Sequence, residues 1–251
     1  MDTATTPLTV GGCLGDAFNH ISKQWRAWLG SALVYFGGVF GMVFVLVVPL
    51  AVVGVFGVAF ISAASGGEPD DTMMMLMLAP LVLFGFVFWL AIVYIGAIAP
   101  LGMARLALLA LRGEPTSYWE VFHYARSPGT AIALFFLNLL ITLPLLCLGI
   151  VPGMIYAIAA GFAPYLIVDR GLGALEAIQG SIELFRSSWG ALVLLWLAII
   201  GLTFILSNVP VIGSFAMMLI QSAALGIAYL QLTGQTVGGL DDAGLPRNAA
   251  A

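Results

Sequence analysis

Four stretches of this chain carry no charged residue: 27–67, 72–104, 127–168 and 187–240. Each exceeds the about 20 residues a helix needs to cross the hydrocarbon of a bilayer. Charged residues make up only 8% of 251, and hydrophobic ones 62%. A water-soluble domain carries about 25% charge, so a chain this poor in charge has lipid as its solvent. Inside lipid every backbone polar group needs an internal partner. The expected fold is therefore all-α and polytopic.

Turn signals divide the long stretches. "LPLLCLGIVPG" gathers Pro144, Gly149, Pro152 and Gly153 at the centre of 127–168, and "SNVPVIGS" interrupts 187–240. Such clusters punctuate helices. Pro49 stands alone in 27–67 and reads as a kink. Six transmembrane helices result, at 28–62, 72–104, 129–147, 152–168, 189–206 and 211–233, arranged as three hairpins. The first two are longer than a bilayer is thick and are expected to tilt or project. The first 13 residues hold no Lys or Arg. No cleavable leader is expected, and the first apolar run reads as a retained anchor.

Charge placement tests the count. With six spans, Lys23, Arg26, Arg105, Arg112, Arg126, Arg170, Arg186 and Arg247 all fall on one side, and Glu68, Asp70 and Asp71 on the other. The positive-inside rule makes the first side, with both termini, cytoplasmic. A seventh span would send five of these arginines outward. Net charge is −4. That balance lacks the basic footprint of a nucleic-acid binder, so the expected partners are membrane lipids and other membrane subunits or copies of itself.

Each hairpin is preceded by a short charged segment: 14–25, 118–129 and 178–189. In register, Phe18, Phe122 and Ile182 coincide, as do Ile21, Ala125 and Phe185, and Trp25, Gly129 and Trp189. In the first and third, apolar residues recur at helical spacing between polar ones, the pattern of an amphipathic helix in the interface plane with Trp at headgroup depth, and each of the three hairpins is expected to be preceded by such a cytoplasmic interfacial helix. The chain reads as one membrane domain over 1–251, with pseudo-repeats 14–104, 118–168 and 178–233 and flexible tails 1–9 and 234–251.

Two segments, "LGMARLALLALRGEPTSYWEVF" (101–122) and "APYLIVDRGLGALEAIQGSIELFRSSWG" (163–190), carry a resemblance. Through Gly102, Arg105, Leu109, Arg112, Gly113 and Phe122, then Pro164, Asp169, Ala177, Ser181 and Trp189, they resemble bacterial six-span membrane proteins of unknown function. That group is related to the membrane domain fused to some glycerophosphodiester phosphodiesterases. The resemblance spans most of 12–232. It implies six helices in a bacterial inner membrane. It implies no phosphodiesterase chemistry, because the soluble catalytic domain has no counterpart in the chain.

Candidates for chemistry are few. No expected span has an ionisable residue at mid-depth, where proton and ion pathways place them. His20 and His123 lie in surface segments and read as solvated or lipid-facing. Cys13 and Cys147 are expected on opposite sides of the bilayer. Three adjacent methionines, Met73, Met74 and Met75, point three ways on a helix and cannot converge on one ion. No cofactor or catalytic motif is found. Glycine says more: Gly37 and Gly41, with Gly54 and Gly57, form notches that let helices approach closely, within the chain or against a partner. The expected function is a non-catalytic membrane scaffold or accessory subunit. The alternative is a transporter or channel for an apolar or amphiphilic solute.

Overall fold

In a computed structural model, residues 10–64, 71–114, 116–126, 128–206, 208 and 212–235 are described. The helices are α1 (Val10–Lys23), α2 (Trp25–Ala64), α3 (Asp71–Arg112), α4 (Gly129–Leu148), α5 (Ile150–Ala159), α6 (Ala163–Arg170), α7 (Ala174–Ser187), α8 (Trp189–Leu206) and α9 (Ile212–Leu232). A 3-10 helix, Tyr118–Arg126, stands between α3 and α4. No strand occurs among the described residues. The tails 1–9 and 236–251 and the acidic loop 65–70 lie outside them.

Among the described residues, five helical segments are long and apolar enough to cross a membrane: Gly85–Arg112, Gly129–Leu148, Ile150–Arg170, Trp189–Leu206 and Phe215–Leu232. These are helices of a multi-pass membrane protein. Their outward side chains agree: Phe136, Leu140, Ile150, Leu194, Phe204 and Ile205 are exposed, an arrangement that water would penalise and lipid favours. The remaining expected span, 28–62, falls within α2, a helix of 40 residues with Pro49 inside it.

By compactness the chain divides into two units, Met1–Leu33 with Ala97–Ala251, and Val34–Gly96. The expected first repeat, 14–104, is shared between them. The larger unit has a close-packed interior of Leu101, Leu106, Leu108, Leu111, Phe162 and Tyr229, each under 2% exposed. In lipid such burial stabilises through dispersion and close fit rather than release from water. α1 packs on α9, α4 on α5, and α7 on α6, α4 and α5. In the smaller unit, α2 and the first part of α3 carry outward Phe44, Phe56, Phe60, Val82 and Phe86.

Three departures from the sequence reading have physical causes. The expected second span ended at 104, before Arg105, but α3 runs on to Arg112. Arg105 is accommodated because its Nε donates to Glu120 Oε2 at 2.7 Å. The expected span 152–168 is interrupted, with α5 ending at Ala159 and α6 starting at Ala163, ahead of Pro164. Within the expected segment 118–129, Tyr118–Arg126 forms a 3-10 helix of nine residues, not an amphipathic α-helix. Val121 is fully buried where this segment meets Gly102 of α3, so tertiary contact rather than an amphipathic face in lipid sets its form.

Candidate functional site

Three helices of the larger unit end on a left-handed glycine, with their last turns meeting at one place. Gly113, Gly171 and Gly234 take φ of 74°, 65° and 70°, the left-handed region that glycine enters without a Cβ penalty. After α3, Glu114 N–H donates to Leu109 O at 2.9 Å and Gly113 N–H to Ala110 O at 3.2 Å. After α9, Gln235 N–H donates to Leu230 O at 2.8 Å and Gly234 N–H to Gln231 O at 3.2 Å. Both are Schellman closures, and α6 ends with the simpler bond from Gly171 N–H to Ile167 O.

These closures aim four side chains at one point. Arg112 in the last turn of α3 pairs with Asp169 in the last turn of α6, Nη2 donating to Oδ1. The same Nη2 donates to Gln235 Oε1 at 2.7 Å. Asp169 Oδ2 accepts from Tyr229 Oη at 2.7 Å and from Gln235 Nε2 at 2.9 Å. The carboxylate is 10% exposed and the guanidinium side chain 30%. A carboxylate in the last turn of a helix meets the negative end of its dipole, and two more helix ends converge here. Arg112 supplies the opposing charge that makes Asp169 tolerable.

The cluster continues inward as a chain of contacts. The Tyr229 ring stacks on Tyr165, centroids 5.8 Å apart. Tyr165 Oη donates to Ser222 O at 2.8 Å, and Ser222 Oγ donates to Met103 O at 3.2 Å. Beside this chain α9 passes close to α3: a Cβ on Gly226 would lie 2.8 Å from Leu111 Cδ1. A Cβ on Gly102 would collide with the Val121 carbonyl, so Gly102 seats the 3-10 helix on α3. The break between α5 and α6 is closed from α7. Fully buried Ser181 accepts from Phe162 N–H at 3.0 Å and donates to Ala159 O at 2.5 Å. Irregular backbone at membrane depth needs such a partner.

The residues singled out from sequence fall as follows. Phe18, Trp25 and Trp189 are exposed, while Ile21, Phe122, Ile182 and Phe185 are half-buried. The Arg26 guanidinium lies 5.6 Å from the Trp25 ring centroid. α1 and α7 bury small residues against their neighbours, Cys13 and Ala17 in α1, and Ala174, Ala177 and Ser181 in α7. Lys23, Arg170 and Arg186 are exposed. Arg126 ends the 3-10 helix, and Arg247 lies outside the described residues. Gly37 and Gly41 are exposed, with nothing among the described residues within 4 Å of a Cβ built on either. Gly54 and Gly57 are half-buried.

Sequence reasoning missed Gln235, assigned to a tail, and read His20 as solvated or lipid-facing. His20 Nδ1 is buried, and burial lowers the imidazole pKa from its ordinary 6.5. Cys13 is buried, its Sγ 3.5 Å from Gln231 Oε1, and burial pushes the thiol up to about 11. Among the described residues no group of three His, Cys, Asp or Glu could hold a metal ion. Comparison with protein-family models, curated proteins and solved structures finds no match. The helices and their packing define the class, a multi-pass helical membrane protein.

Proposed function

We propose that this protein is a non-catalytic membrane scaffold, acting as a subunit of a larger assembly or by self-association. The observation that carries the reading is the contrast between its glycines. Gly102, Gly153, Gly213 and Gly226 are all filled by neighbours closer than 3 Å to a built Cβ. Among the described residues Gly37 and Gly41, one helical turn apart, are open, as are Gly11 and Gly15 in α1 and Gly190 and Gly201 in α8, and the first pair lies in an expected span beside exposed Phe44 and Val45. Small residues at this spacing let a second helix approach backbone to backbone. The polar cluster fits a structural role, since Arg112, Tyr229 and Gln235 all donate to Asp169.

The accompanying topology is six spans in three hairpins in a bacterial inner membrane, with α1 and α7 at the cytoplasmic surface and both termini cytoplasmic. The motifs at 101–122 and 163–190 and the one-sided arginines support it. A Ser65→Cys variant in a Cys147→Ser background then labels from outside intact cells; labelling only after lysis overturns the topology. A second reading, transport of an apolar or amphiphilic solute, is favoured by the α5–α6 break, since interrupted spans build many transporter sites. Cysteine cross-linking from Gly41→Cys in native membranes separates the two. A scaffold yields a discrete product heavier than the 26.4 kDa chain, and a transporter acting as a monomer yields none.

A further inference from the structure

The junction of α1 and α2 carries a column of polar atoms with nothing to bond. The backbone stays helical across it: Gln24 N–H donates to His20 O at 3.0 Å, and Trp28 N–H to Gln24 O at 3.3 Å. His20, Gln24 and Trp28 are therefore spaced i, i+4, i+8 and share one face. His20 Nδ1, Gln24 Oε1 and Trp28 Nε1 are all shut off from solvent and have no hydrogen-bond partner among the described residues. Trp28 is 1% exposed. α1, which begins this column, packs on α9 and α8.

A buried polar atom left unpaired loses its hydrogen bonds to water with no return, so three in one column call for an occupant. Side chains one turn apart on a helix stand about 5–6 Å apart at Cβ, near enough for one small hydroxyl-bearing group to bond both. The chemistry narrows the occupant further. An indole N–H only donates, so it ligates no metal. An amide oxygen only accepts, so it repels an anion. Burial holds His20 in its neutral form, whose Nδ1 either donates or accepts.

We propose that His20, Gln24 and Trp28 form a binding seat for neutral hydroxyl groups, one oxygen bridging each successive pair. An oxygen between Trp28 and Gln24 accepts from the indole and donates to the amide oxygen. The next donates to Gln24 Oε1 and bonds His20 Nδ1. Water and a hydroxyl of a lipid headgroup share this chemistry.

The test uses the full chain with ¹⁵N-labelled tryptophan in phosphatidylcholine nanodiscs, with and without a galactosyl diacylglycerol. The Trp28 indole signal is assigned by Trp28→Phe, or by elimination through single Phe substitutions of the other five tryptophans. A cross-peak from this N–H to water identifies water as occupant. A shift of the signal on adding the galactolipid identifies a headgroup hydroxyl. An indole N–H with no water cross-peak and no response to galactolipid overturns the proposal. So does a folded Gln24→Leu variant that keeps the wild-type Trp28 signal.

Discussion

Arg112 and Asp169, 57 residues apart in sequence, form an ion pair where the last turns of α3 and α6 meet. It joins two helices at their negative dipole ends, and Tyr229 and Gln235 bring α9 to the same carboxylate. The pair is thus the knot of a three-helix joint. Helix ends that would repel are held together by one guanidinium.

Arg112→Ala leaves Asp169 with like dipoles and fewer donors. We expect a loss of about 1.5–3 kcal/mol, the scale of hydrogen bonds to a charged group. Asp169→Asn should lower stability in the same direction while leaving assembly intact. Thermal melting in detergent measures both, and a double-mutant cycle with Asp169→Ala should give a coupling above about 1 kcal/mol. Additive effects would dissolve the joint.

The glycines divide into two classes that alanine substitution separates. Gly102→Ala drives a methyl into the Val121 backbone carbonyl, whereas Gly226→Ala meets only the end of the Leu111 side chain, which can turn aside at less cost. Overpacking of the first kind costs about 1–3 kcal/mol. Gly37→Ala meets open space and, with the better helix propensity of alanine, should not lower the melting of the isolated chain. Equal effects at Gly37 and Gly102 would contradict the packing described.

Ser181→Ala removes the hydroxyl that closes the α5–α6 break. It orphans the Phe162 N–H and the Ala159 carbonyl, both buried. The expected cost is about 1–3 kcal/mol. Hydrogen exchange should rise locally at Phe162 in the variant. Unchanged protection there would mean that another group seals the break.

Acid should weaken the junction of α1 and α2. His20 has a folded-state pKa below its ordinary 6.5, so the unfolded chain binds the extra proton. Stability is then full above about 6.5 and falls as pH drops below it. Melting at pH 7.5, 6.5 and 5.5 should show this decline, and His20→Phe should flatten it. Stabilisation on acidification would place His20 in a different environment.

Much of the helical layout was legible because a charge-free run and a helix in lipid have the same cause. α8 begins and ends at the expected 189 and 206. Boundaries failed where charge and backbone disagree: Arg105 ends an uncharged run but not α3, because Glu120 receives it. The amphipathic patterns of α1 and α7 were readable, but not which residues face protein. Small side chains, Ala17 and Ala177, turn inward, and large ones, Phe18 and Leu175, turn out. The polar joint was not legible, because Arg112, Asp169 and Gln235 meet only in the folded chain. One local signal existed, glycine after each helix: Gly113, Gly171 and Gly234. The close of α9 that they mark is what holds Gln235 in the site rather than in a tail.

The central claim, action through contact with a partner helix or a second copy, is tested most directly by native mass spectrometry. The protein is extracted from its own membrane in mild detergent, as wild type and as Gly37→Leu. The account predicts one species of fixed stoichiometry heavier than the 26.4 kDa chain, lost in Gly37→Leu while the variant melts normally. A wild-type protein that flies only as the 26.4 kDa monomer would contradict it.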